Sequence, residues 1–202
     1  HHELICKGAV EEMFEVCTHV RHEGQIHVLD ASTQQRLQAV TRALNEDGLR
    51  VVAVAAKEIP PDQTVYSIAD ESGLTLIGYI AFLDPPKEST APALEALAAH
   101  GVVVKVLTGD NELVTLEVCR QVGLAVEGVL LGAQVDAMGD SALAHAVERH
   151  TVFAKLSPLN KERIVRSLRD QGHVVGFMGD GINDAPGLRA ARYQVIKCTK
   201  QS

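Results

Sequence analysis

The chain has 202 residues, 46 % hydrophobic and 22 % charged, which is enough to bury a core and too apolar for disorder. Nineteen Lys and Arg against 26 Asp and Glu leave a formal charge of −7; with four Phe, three Tyr and no Trp, this argues against a nucleic-acid binder. The longest apolar run, Leu74 to Leu83, is too short to cross a bilayer and no secretory signal or stop-transfer segment is evident, so the chain as given is expected to be soluble.

In chain order, Glu3 to Cys6 reads as a strand and Ala9 to Cys17 as a helix with Val10, Met13, Phe14 and Cys17 on one face. Ile26 to Leu29 reads as a strand. Thr33 to Glu46 is a helix with Asp30 or Ser32 as its cap and Gly48 just beyond its end. Val51 to Ala56 and Leu74 to Phe82 are strands separated by a polar loop with Pro60 and Pro61. This order predicts a small antiparallel sheet carrying helices. Asp84-Pro85-Pro86-Lys87 then interrupts the chain, because proline neither donates to a ladder nor leaves the preceding residue free, and a stiff hinge is expected.

Beyond the hinge the pattern alternates. Helices are predicted over Ser89–His100, Glu112–Val122, Ser141–Arg149, Pro158–Asp170 and Asn183–Ala191. Strands are predicted over Val102–Leu107, Val129–Leu131, Val152–Ala154, His173–Met178 and Val195–Ile196. The first and fourth of these read as buried on both faces, so a parallel sheet flanked by helices follows. Cys6, Cys17, Cys119 and Cys198 form no CxxC pair and read as small buried hydrophobes in a reducing compartment. His19, His22 and His27 lie close in sequence but match no metal-ligand spacing.

Two of the strands run into polar loops, and in open parallel sheets ligands bind beyond the carboxyl ends of strands. Gly179-Asp180-Gly181-Ile182-Asn183-Asp184 offers hard oxygen ligands on a tight backbone path, suited to Mg²⁺ beside a phosphate. Thr108-Gly109-Asp110-Asn111 offers a hydroxyl and the N–H groups of a helix start, suited to a phosphate oxygen, although Asp110 and Asn111 are also ordinary caps. Lys161, near the start of the helix before the Asp180 strand, can serve as a point charge for phosphate. Lys7-Gly8-Ala9 and Arg50 are unremarkable taken singly.

Together and in this order, these segments resemble the cytoplasmic part of a P-type ATPase, within the haloacid dehalogenase superfamily. Gly179 to Pro186 is similar to the GDGxNDAP signature, Thr108-Gly109-Asp110 to TGD, Asp84-Pro85-Pro86-Lys87 to the DPPR-type hinge and Lys7-Gly8-Ala9 to KGA. The wording around Lys7, Asp84 and Thr108 is most like bacterial magnesium-transporting members. The resemblance implies ATP contacts from Lys7, Gly8 and Arg50. It implies phosphoryl-group binding by Thr108, Gly109, Asp110 and Lys161, and Mg²⁺ held by Asp180 and Asp184 with support from Asn183. Phosphoryl transfer depends on such positioning and charge neutralisation more than on covalent chemistry.

The resemblance also marks what the chain lacks. The family phosphorylates an Asp in a DKTGT motif, and no such motif occurs in these residues. Asp84 follows an apolar strand, but Pro85 and Pro86 replace the turn a nucleophile would need. After Ala191 the likeness fades into Arg192-Tyr193-Gln194-Val195-Ile196, a change that one inserted base would produce.

The expected fold is therefore α/β. Residues 1–83 are expected to form part of a small α+β nucleotide-binding domain. Residues 84–202 are expected to form part of a Rossmann-like phosphorylation domain. The expected function is that of a cytoplasmic fragment of an ATP-driven magnesium pump, lying on the cytoplasmic side of a bacterial inner membrane and unable to phosphorylate itself. ATP, Mg²⁺ and the remaining pump segments are the expected partners. A nucleotide-binding or regulatory module, a functionless remnant and a small soluble phosphatase are the alternatives.

Overall fold

The computed structural model describes residues 2–179 and 184–196. Asp180, Asn183 and Cys198 of the sequence reading lie outside the described residues. The chain divides after Pro85 into two compact units.

In the first unit, β1 (His2–Gly8), α1 (Val10–Val16), β2 (Cys17–His22), β3 (Gln25–Val28), α2 (Ala31–Glu46), β4 (Arg50–Ile59) and β5 (Leu74–Phe82) build one five-stranded sheet in the order β1-β4-β5-β2-β3. Three of its pairings are antiparallel, but β2 lies parallel to β5, so the sheet is mixed rather than purely antiparallel. Strand β2 went unread because Val10, Met13, Phe14 and Cys17 sit at helical spacing. The Cys17 N–H does still bond to the Met13 carbonyl, but its backbone has already turned extended, at φ −93° and ψ 135°. Helix α2 begins where the sequence places its cap: the Asp30 carboxylate accepts the Thr33 N–H at 2.7 Å.

One face of the sheet is packed. Val10, Met13 and Phe14 of α1 meet Ala53, Ala55, Leu74 and Leu76, with Leu37 of α2 alongside. The small alanines of β4 let α1 approach the strands closely. The other face carries Ile5, Ile80 and Phe82, which are 65 %, 55 % and 41 % exposed.

The second unit contains α3 (Thr90–Ala99), β6 (Val106–Leu107), α4 (Glu112–Gln121), β7 (Val129–Leu131), α5 (Gly132–Ala137), α6 (Asp140–Arg149), β8 (Val152–Ala154), α7 (Pro158–Asp170), β9 (Gly176–Gly179), α8 (Ala185–Ala190) and β10 (Tyr193–Ile196). Strands β6, β8 and β7 form a parallel three-stranded sheet with β8 central, and β9 and β10 a separate parallel pair. Helix α7 serves both sheets. Its Ile164 and Leu168 pack with Leu143, Val147 and Phe153, and its Val165 with Phe177 and Ala190. Leu107, from β6, and Val175, just before β9, pack against both clusters, yet no ladder joins β6 to β9.

This arrangement corrects two expectations. The apolar run Val102–Leu107 is a strand only at Val106–Leu107, and Val103 is 79 % exposed. Pairing reaches only as far as the short β8 allows, and Lys105 is held instead by hydrogen bonds from its Nζ to the Glu148 and His150 carbonyls at the end of α6. Likewise the strand expected over His173–Met178 spans Gly176–Gly179, and Val174 and Met178 are exposed. Phe177 is buried with Val165 of α7 and Ala190 of α8 whereas Met178 points to solvent, so β9 is covered on one face only.

Candidate functional site

Lys7 and Arg50 stand on the same face of the first sheet. Lys7 pairs with Val54, and Arg50 lies four residues earlier on the same strand. Alternation along a strand then turns Lys7, Val54, Val52 and Arg50 to one side, with the two cations about 13 Å apart along the strand direction. Directly across from β4, Phe82 faces Arg50 and Ile80 faces Val52. This is the face that α1 and α2 leave open. It is an apolar floor between two basic side chains, able to take a flat ring on its surface and phosphate at its ends. The Arg50 guanidinium lies 5.8 Å from the centroid of the Phe82 ring and 3.9 Å from the Asp84 carboxylate. Gly8 admits close packing from beneath: a Cβ there would stand 3.4 Å from the Met13 sulfur. The sequence alone does not place Phe82 and Ile80 on this face, because that depends on which β4 residues they oppose.

In the second unit, Thr108 and the two residues after it form a tightly bonded turn. The Asp110 N–H bonds to Thr108 Oγ1 at 3.0 Å, and the Asn111 carboxamide oxygen caps α4 by accepting the Leu113 N–H at 2.8 Å. The turn is tied to the segment leading into α7: Lys155 N–H donates to the Asp110 carbonyl and Leu156 N–H to that of Thr108. Lys155 adopts φ +51°, an uncommon conformation for a non-glycine residue. A Cβ on Gly132 would lie 2.3 Å from the Lys155 carbonyl oxygen, so α5 can start against this segment only with glycine at its first position.

Helix α7 is started by Ser157, whose Oγ accepts the Asn160 N–H at 3.2 Å; Asn160 in turn donates to Asp136 at 2.6 Å. Asn160, itself buried, was not singled out from sequence, although Ser157-Pro158 followed by a polar residue at the third helical position is a capping signal. The next residue, Lys161, is buried, and its Nζ contacts Asp184 Oδ1 at 2.6 Å. Their side chains are 10 % and 15 % exposed. The approach is possible because residue 179 is glycine: a Cβ there would sit 2.7 Å from Asp184 Oδ2.

Lys161 and Asp184, read separately from the sequence, are thus in direct contact. Thr108, Gly109 and Asp110 are linked by backbone bonds to the start of the helix that carries Lys161. Among the described residues no group of three His, Cys, Asp or Glu side chains is close enough to hold a metal by itself. The described part of the Asp180–Asp184 cluster contributes the Asp184 carboxylate, a hard oxygen donor of the kind Mg²⁺ takes in ones and twos beside water and phosphate. No helix among the described residues is long and apolar enough to cross a membrane.

Residues 1–89 match the family model for the cytoplasmic domain N of P-type ATPases, and this part of the chain belongs to that family. Over 191 residues, 95 % of its length, it is 56 % identical to the magnesium-transporting ATPase, P-type 1, of Escherichia coli K12, and it covers 21 % of that protein. Its identity to the protein of that name from Salmonella typhimurium LT2 is 57 % over 190 residues, 94 % of the chain and 21 % of the relative. Against calcium-transporting ATPase 1 of Lactococcus lactis it falls to 32 % over 190 residues, 93 % of the chain and 22 % of the relative. The chain therefore resembles the magnesium-transporting branch and spans about a fifth of the length of these relatives.

Proposed function

We propose that the chain supplies the ATP-holding face and the phosphoryl-binding loops of an ATP-driven magnesium pump that works through an aspartyl-phosphate. The observation that carries this reading is the open apolar face of the first sheet with Lys7 at one end and Arg50 at the other. Adenine would lie on that floor and the phosphates would meet the cations. In the second unit, a Rossmann-like phosphorylation domain of the haloacid dehalogenase type, Thr108 and the adjoining N–H groups would bind the transferred phosphoryl group. Lys161 would offset its charge. Asp180 and Asp184, with Asn183, would hold Mg²⁺, which supplies charge neutralisation at the phosphate. The edges of β6 and β9 that meet no strand among the described residues, both packed on α7, support assigning the strand that bears the phosphorylated Asp to the space between them.

The isolated chain lacks the DKTGT nucleophile and binds ATP without turning it over. Incubation with γ-labelled ATP should give saturable binding and no acid-stable label on the protein. Label that survives acid and disappears on replacing one Asp of this chain would overturn that expectation. Release of phosphate from a generic ester would favour a phosphatase instead.

A further inference from the structure

We infer that Arg50 and Asp84 form a latch at the exit of the first sheet, in which bound nucleotide and the hinge carboxylate compete for one guanidinium. The inference rests on the nucleotide reading above and adds a control on the same site.

Three observations meet at this point. Arg50 opens β4 opposite Phe82, the last residue of β5, and its guanidinium lies 5.8 Å from that ring's centroid. Asp84 follows two residues later, and its carboxylate stands 3.9 Å from the Arg50 guanidinium, an ion pair too long for a hydrogen bond. The next two residues are Pro85 and Pro86, and the chain divides into its two units after Pro85. Neither proline has an N–H with which to fasten the segment to the sheet. The contact between Arg50 and Asp84 therefore holds the departing chain to the first unit through side chains.

The pair is accessible, with Arg50 42 % and Asp84 72 % exposed. An accessible pair of this kind biases an equilibrium by about two- to fivefold, so it can be displaced. A polyphosphate brings more negative charge than one carboxylate and accepts the guanidinium fork in two-pronged fashion. As Arg50 turns to phosphate it leaves Asp84, and the hinge segment is released more often when nucleotide is seated. The Phe82 ring keeps the guanidinium at the edge of the floor in both positions.

Calorimetric titration of the full 202-residue chain with ATP tests this. Asp84→Asn should tighten ATP binding by about two- to fivefold at low salt, and less at high salt. In an Arg50→Met background, where ATP binds more weakly, the same Asp84→Asn change should have no effect. Equal tightening in both backgrounds would mean that Asp84 merely repels phosphate, and no tightening in either would mean that it does not compete; each overturns the latch. Trypsin cleavage after the exposed Lys87 reads the hinge without reference to affinity. ATP should speed cleavage of the wild type, and Asp84→Asn should be cut at the faster rate with no nucleotide present. If the wild type binds no ATP, the nucleotide reading fails. If it binds ATP but neither the variant nor ATP alters cleavage, the latch alone fails.

Discussion

Lys161 occupies a position where helix periodicity asks for an apolar side chain. The inward stripe of α7 is Lys161, Ile164, Val165 and Leu168, at the spacing of one helix face, and all four are buried. A lysine there is tolerable only with a partner, and Asp184 provides it at 2.6 Å. Lys161→Ala would leave that carboxylate without its ammonium in a mostly buried site. Urea unfolding should show a loss of about 3 kcal/mol. Joint replacement by Lys161→Met and Asp184→Leu should recover much of that loss, since an apolar pair of similar volume has no charge to desolvate. A Lys161→Ala protein as stable as the wild type would show that the contact is not formed in solution. Asp184 was legible in the sequence as a motif residue, and Lys161 by its place near the start of the helix before the Asp180 strand. Their contact was not, because it joins positions 23 apart and depends on the absence of a Cβ at Gly179.

Elements were legible where periodicity had room to show itself. Helices α2, α6 and α7 fall within a residue or two of their expected bounds, with Asp30 and Ser157 capping α2 and α7 through side-chain bonds. Helix α5 was missed. It has six residues, fewer than two turns, so no apolar stripe can repeat along it. What fixes it is tertiary: Gly132 lies against the Lys155 carbonyl, and Val135 is fully buried. Gly132→Ala should therefore destabilise the second unit by about 2 kcal/mol in thermal or urea unfolding, since the contact is with backbone and cannot swing aside. Gly176→Ala is the control, because Gly176 is exposed and a Cβ there meets nothing within 4 Å, and its change should stay within about 0.5 kcal/mol. Similar losses in both variants would argue against the close packing of α5 on the loop. Overlong expectations for β6 and β9 have a related cause. Apolar runs register a tendency to be buried, whereas strand length is set by the partner available, and β8 offers β6 only two residues.

At the scale of the molecule, the chain is two units divided beside a pair of prolines. The first offers an open sheet face with cations at its ends. The second offers bonded loops and a buried Lys–Asp contact, with β6 and β9 packed on a common helix and each having one edge that meets no strand among the described residues. Motif order made the kinship legible in the sequence; the shared face of Lys7 and Arg50 emerged only from the register of β1 on β4 and of β4 on β5. The most direct measurement is a titration of the isotope-labelled chain with ATP, followed residue by residue by NMR. Saturable shifts at Lys7, Arg50, Val52, Ile80 and Phe82, weakened by Lys7→Ala, are the expected result. Saturable shifts that leave these five residues untouched, or no saturable shifts at all, would contradict a nucleotide site on this face.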